Sequence, residues 1–200
     1  LNAVLNLAAG AVVTGAGNGS FVEGPVRVNT IAAGNAVLSF PTGNRVYRPL
    51  LLELPQLPAG PSAFQAEVFN TAPPLRSLPG TLNAVSNRSY FTISSIGAQS
   101  ISNAVVTLGY DAADGVTDAA LLRIAKEDAA AWVDIGGSGT ANGGGTIRSG
   151  TAFSGGGTFV LANAITGNNA FATSWLKAGA QLLGKQVLIS WTIGNETNIS

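Results

Sequence analysis

Short runs of apolar residues, separated by Gly, Pro and Asn, recur along the whole chain. Such runs, about five to nine residues long and rich in Val, Ile, Leu, Thr, Phe and Tyr, are typical of β-strands. In residues 186–192, Val187, Ile189 and Trp191 alternate with mostly polar neighbours, which indicates a strand with one buried face. The pattern predicts strands at residues 3–7, 11–14, 20–28, 36–40, 46–53, 64–69, 90–94, 104–109, 120–125, 132–134, 145–149, 158–161 and 186–192.

One segment, residues 117–131 (TDAALLRIAKEDAAA), is compatible with a helix because it is rich in alanine. Side chains nevertheless alternate from Leu121 to Lys126, so a strand followed by a short turn is the preferred prediction. The Pro-rich segments 55–61 and 71–80 are predicted to be loops that cannot lie inside a central strand. The Gly-rich segment 136–145 is predicted to be a mobile hairpin loop.

These elements predict an all-β fold, an antiparallel β-sandwich of the jelly-roll or Greek-key type with flanking terminal strands. The sandwich is expected to occupy residues 18–163, after an N-terminal strand segment at 1–17. Residues 164–200 are expected to form a linker and a terminal strand, a candidate start of a fibronectin type III-like domain.

The composition restricts the function classes. The 200 residues are 46% hydrophobic and only 10% charged, with a net charge of zero, whereas about 25% charged residues are usual. No basic stripe is available for nucleic acid, and no long apolar run predicts membrane insertion. The absence of Cys and His removes thiol chemistry, disulfides and the usual general base, so we expect no enzyme and no cofactor.

Several segments together resemble one known module. They are GNGSFVEGPV at 17–26, FPTG at 40–43, YRPL at 47–50, NRSYF at 87–91, AWVDIGG at 131–137, GTFVLA at 157–162 and the tail from 184 to 198. In this order they resemble an extracellular β-sandwich module of type IX-secreted surface proteins of Bacteroidota, although the sorting domain itself is absent. The resemblance implies export to the cell surface or the extracellular space. With Leu1 in place of an initiator Met, it predicts a piece of a larger protein.

The best candidate for a metal site is the acidic segment that contains Asp111, Asp114 and Asp118. Calcium prefers such oxygen ligands, but the spacing does not match an EF-hand, and a β-turn with Asx hydrogen bonds is the preferred interpretation. The remaining carboxylates are dispersed, and no catalytic pair can be nominated. Aromatic side chains could form a sugar-stacking surface; Trp132 and Trp191 are expected to be buried, and Trp175 to be exposed.

The apolar strands near the two ends of the chain carry the leading hypothesis. Such strands can leave unpaired backbone N–H and C=O groups at the edge of a sheet. These groups are satisfied either by pairing within the chain, which is the default, or by adding the strand to a neighbouring module. Strand addition predicts a structural or adhesive surface protein, a repeating subunit of a fibre whose partners are copies of itself or neighbouring modules. The alternative is a carbohydrate-binding accessory module of a secreted enzyme, with glycans as partners. The assembly residues would be Leu1, Val4, Leu5, Leu7, Val187 and Ile189.

Overall fold

The computed structural model describes residues 3–31, 33–57 and 60–171 with their side chains, and residues 175–183 and 186–193 as backbone. Within these residues the regular structure consists of 18 β-strands and two 3₁₀ helices, Ala112–Asp114 and Ala119–Leu121. The strands are β1 Leu5–Leu7, β2 Val22–Glu23, β3 Val26–Thr30, β4 Gly34–Phe40, β5 Thr42–Asn44, β6 Val46–Tyr47, β7 Leu50–Leu57, β8 Ser62–Phe69, β9 Leu82–Val85, β10 Tyr90–Ile96, β11 Val105–Tyr110, β12 Leu122–Asp128, β13 Ala131–Asp134, β14 Ser138–Gly139, β15 Gly145–Arg148, β16 Gly157–Ala164, β17 Trp175–Leu183 and β18 Gln186–Ile193.

Two large sheets dominate the fold. Sheet 1 has eight strands in the order β1-β3-β8-β10-β16-β12-β13, with β9 also paired to β16. Sheet 2 has five strands in the order β14-β15-β11-β7-β4. Two smaller sheets are formed by β2, β5 and β6 and by the hairpin of β17 and β18. All pairs in the two large sheets are antiparallel except β1 with β3.

The core lies between sheets 1 and 2. In β8, buried and half-buried side chains alternate along the whole strand, as expected of a strand with one face on the core. Phe64 of this strand and Leu52 of β7 are both fully buried in one apolar cluster that draws on both sheets. Phe153 and Phe159 meet edge to face there, with ring centroids 4.9 Å apart. The predicted all-β sandwich is therefore confirmed.

The chain passes repeatedly from one sheet to the other. The connections from β3 to β4, β7 to β8 and β10 to β11 each cross the sandwich. β16 then returns to lie between β10 and β12, so apart from β12 and β13 the neighbours in sheet 1 are not consecutive in sequence. Such an order is characteristic of Greek-key connections.

Three strand predictions and one loop prediction need correction. The predicted strand 20–28 is interrupted at Gly24 and Pro25, which separate β2 from β3. Residues 11–14 form no strand, because no neighbouring strand pairs with them in the described part of the chain, and Val12 is left 84% exposed. The predicted strand 46–53 is interrupted at Arg48 and Pro49, where Pro49 lacks the N–H that a ladder requires. Pro55, predicted to lie in a loop, belongs to β7. It is tolerated because pairing with β11 ends at Glu53 and the pairing with β4 is irregular there.

The ambiguous segment 117–131 is confirmed as a strand and turn, preceded by a 3₁₀ turn. Asp118 caps the helix Ala119–Leu121 by accepting from the backbone N–H of Ala120 at 3.0 Å. β12 then begins at Leu122. The domain boundaries at 17/18 and 163/164 stay predictions, although β1 is hydrogen-bonded into sheet 1.

Candidate functional site

The acidic segment folds around a buried arginine. Arg48 is 1% exposed, and its Nε donates to Asp114 Oδ2 at 3.2 Å, while its Nη2 donates to Asp114 Oδ1 at 3.1 Å and Asp111 Oδ1 at 3.0 Å. Ser89 Oγ donates to Asp114 Oδ1 at 3.2 Å. Burial raises the pKa of Asp114, against the opposing effect of the Arg48 guanidinium.

The same segment contains the turn that the sequence favours over a calcium site. Asp111 Oδ1 accepts from the N–H of Ala113 at 3.1 Å, and Asp114 Oδ2 accepts from the N–H of Asp111 at 2.9 Å. Asp118 is engaged in its own cap. Among the described residues, no group of three or more His, Cys, Asp or Glu side chains is placed to hold a metal ion. The Arg48 guanidinium supplies the positive charge here, so the segment stabilises the fold.

The described aromatic side chains form no exposed platform. Trp132 is 2% exposed, as predicted, and Tyr110 is buried with its hydroxyl donating to the carbonyl of Ala141 at 2.6 Å. Tyr90 stacks on Phe69 across neighbouring strands, with centroids 4.8 Å apart. The side chains of Trp175 and Trp191 lie outside the described residues, so their predictions stay open.

The N-terminal assembly residues lie at the end of sheet 1. Leu5 and Leu7 face Val26 and Val28 in a parallel pair. Leu7 packs against the core, whereas Val4 and Leu5 are 38% and 41% exposed. Leu1 lies outside the described residues. On β18, Val187 pairs with Leu182 and Ile189 with Ala180, and their side chains are not among those described. The default interpretation, pairing within the chain, therefore applies to β1 and to the β17–β18 hairpin.

Sequence reasoning missed a surface feature on the other sheet, which we call the open edge: the outer side of β4. Within the described residues no strand is hydrogen-bonded to it, so alternate backbone N–H and C=O groups of Gly34–Phe40 face outwards. The strand GNAVLSF contains no charged residue and no proline, the usual protections of an edge. Val37 is 66% exposed, and Ile31 just before the strand is 71% exposed.

A groove runs along the open edge. Its volume is about 460 Å³, and its walls come from residues within 7–13, 28–30 and 35–39. The groove therefore lies between the segment that follows β1 and the edge strand of sheet 2. Most of its side chains are apolar or small, and none of them is charged.

The edges on the opposite side of the sandwich are protected. β14 has only two residues. β13 is partly covered, because the N–H of Trp132 donates to the carbonyl of Ser77 at 2.9 Å. Arg76 fixes this covering loop through Glu127, with Nε donating to Oε1 at 2.7 Å. The open edge therefore differs from its counterparts in length and in cover.

The described part of the chain contains no helix with the length and apolarity needed to cross a membrane. No protein-family model matches the sequence, and searches of curated proteins and of solved structures found no significant match. The resemblance to type IX-secreted modules therefore stays a prediction.

Proposed function

We propose that this chain is a non-enzymatic, extracellular structural or adhesive module, a repeating subunit of a cell-surface fibre assembled by strand addition. Its partners are copies of itself or neighbouring modules of the same parent protein. The observation that carries the proposal is the open edge of β4, which offers seven residues of uncharged strand without proline.

The N-terminal segment is the proposed donor strand. β1 is held in its own sheet by only three residues in a parallel pair, so few hydrogen bonds break when it leaves β3 to pair with the open edge of a neighbouring copy. Val4 and Leu5 are already partly exposed, and burying their apolar surface against another copy is favourable. The apolar run at residues 1–7 has the length of a typical edge strand.

The low charge of the chain supports close contact between copies. With ten basic and ten acidic residues and no net charge, neighbouring modules repel each other little. The absence of His and Cys supports a role without catalysis. The resemblance to secreted surface modules supports the proposed extracellular location.

Electron microscopy and light scattering of four purified proteins test the proposal: the full chain, a chain lacking residues 1–7, Val37→Lys and the control Ile165→Lys. Val37 and Ile165 are 66% and 57% exposed, so both lysines are accommodated without entering the core. Only the lysine at 37 places a charge on the open edge.

We expect filaments or oligomers from the full chain and from Ile165→Lys. We expect monomers from Val37→Lys and from the truncated chain. A full chain that remains monomeric at millimolar concentration contradicts the proposal. Filaments from Val37→Lys that match those of the full chain contradict the assignment of β4 as the acceptor.

A further inference from the structure

A second, separate feature lies beside β9 on sheet 1. A cavity of about 350 Å³ opens between β9 and the segment that follows β16. Five asparagines and one aromatic ring contribute to its lining, and no charged residue does: Asn83, Asn87, Asn163, Asn168, Asn169 and Phe171. Its volume falls in the range of small-molecule sites, about 300–1,000 Å³.

One amide in this lining has an unsatisfied oxygen. Asn163 is 3% exposed, and its Nδ2 donates to the carbonyl of Asn169 at 3.0 Å. Its Oδ1 is buried and has no hydrogen-bond partner among the described residues. Reversing the amide does not help, because the oxygen would then face a carbonyl oxygen. Few buried amides lack a partner in this way, so the wall of the cavity is not explained by packing alone.

The surrounding amides are held in place by the backbone. Asn169 Oδ1 accepts from the N–H groups of Thr117 at 2.9 Å and Asp118 at 2.6 Å. Asn83 Nδ2 donates to the carbonyl of Gly167 at 2.6 Å. Because these side chains are already fixed, a ligand would meet a preformed wall. Asn168 is exposed and carries an amide at the same cavity.

The chemistry of the lining selects the ligand class. Amides offer both donors and acceptors to hydroxyl groups, and the absence of charge gives no advantage to an ionic ligand. Val85 and Phe171 add apolar surface for the C–H face of a sugar ring. A second cleft of about 200 Å³, which Trp132 helps to line, shares Asn83 and Val85 with this cavity.

We propose that this cavity binds a neutral carbohydrate, whose hydroxyl groups form hydrogen bonds with the amides of the lining. The site is on sheet 1 and does not involve the open edge of β4. The proposal of carbohydrate binding is therefore independent of the proposal of strand addition. Carbohydrate binding can be measured on the Val37→Lys variant, whether or not that variant assembles.

Saturation-transfer NMR on the full chain, with neutral trisaccharides of glucose, galactose, mannose and N-acetylglucosamine as probes, tests the proposal. Sialyllactose serves as the charged comparator. We expect at least one neutral trisaccharide to bind. Asn168→Ala, which changes an exposed side chain, should weaken its binding about three- to tenfold, the effect of one hydrogen bond. Asn163→Leu should abolish binding. Asn35→Ala, an exposed amide on β4, should leave it unchanged.

Two results overturn the proposal. In the first, no neutral trisaccharide binds the full chain at millimolar concentration. In the second, a trisaccharide binds Asn168→Ala and Asn163→Leu as it binds the unchanged chain, which places the binding elsewhere. The Asn168 variant keeps the test decisive if Asn163→Leu does not fold.

Discussion

Replacing Asp114 by Ala should remove a large part of the stability of this protein. Asp114 is fully buried and receives three hydrogen bonds from Arg48, which is itself 1% exposed. The substitution leaves the guanidinium, which cannot lose its proton, in the interior with one carboxylate contact, Asp111 Oδ1 at 3.0 Å. Ser89 Oγ and the N–H of Asp111 lose their acceptor as well.

The magnitude follows from these losses. Removing one partner of a buried ion pair typically costs about 3–5 kcal/mol. The remaining carboxylate of Asp111 is 29% exposed and offsets part of the unpaired charge. The two donors left without an acceptor add about 1 kcal/mol each to the loss. We therefore expect Asp114→Ala to lower the free energy of unfolding by about 4 kcal/mol. That is a large fraction of the total stability of a typical domain, about 5–15 kcal/mol.

Urea unfolding at neutral pH, followed by tryptophan fluorescence, measures this loss as a change in midpoint at constant slope. Asp118→Ala is the matched control, because it removes the same side chain from the same segment but loses only a cap, at about 1 kcal/mol. If both variants lose the same free energy of unfolding, the buried pair has no special role and the reasoning is wrong.

Two further predictions concern pH and backbone conformation. The pKa of Glu127 is lowered by hydrogen bonds from Thr158 and Arg76. The ionised carboxylate therefore contributes to the stability of the fold, by under about 1 kcal/mol because the pair is partly exposed. This contribution is present above about pH 4.5 and is lost as the pH falls through the lowered pKa. Thermal unfolding should therefore separate Glu127→Gln from the unchanged chain more at pH 7 than at pH 3; an equal difference at both values contradicts this. Gly115 has φ +71°, and a Cβ there would lie 2.1 Å from a carbonyl oxygen of the segment after β16, so Gly115→Ala should cost about 2–4 kcal/mol in urea unfolding. Gly143→Ala, at φ +80° with open space around it, should cost only about 1 kcal/mol, and equal losses refute the steric argument.

The sandwich could be predicted because its strands carry a local signal. Alternation along β8 and β10 follows from one face on the core, and it is visible without knowledge of the partner strands. Residues 11–14 have the same kind of signal but form no strand, since a strand requires a neighbour to pair with. Pairing partners are a long-range property and are not contained in the local pattern.

The buried ion pair illustrates the same limit. The sequence drew attention to the acidic segment, and the spacing of Asp111 and Asp114 matches the capping box that the structure contains. It did not indicate Arg48, because the arginine is 66 residues away along the chain. The charge that balances the segment therefore became evident only from the fold.

The two surface features were missed for different reasons. β4 was predicted as a strand, but its position at the end of sheet 2 depends on the order of all five strands. The cavity beside β9 brings Asn83 together with Asn163 and Asn169, which lie far apart in sequence. A neighbouring pair, Asn168 and Asn169, was the only local signal, and turns contain such pairs commonly.

The position of β16 has a consequence for how the chain folds. Sheet 1 joins β10 to β12 only through β16, so Phe91 and Ile124 lack their neighbours Phe159 and Leu161 until that strand is in place. Folds dominated by such distant pairings form in about milliseconds to seconds, more slowly than helical bundles. During synthesis, the two halves of sheet 1 cannot be joined before residue 164 leaves the ribosome. The nascent chain therefore remains incompletely folded, and dependent on whatever prevents its aggregation, over most of its length.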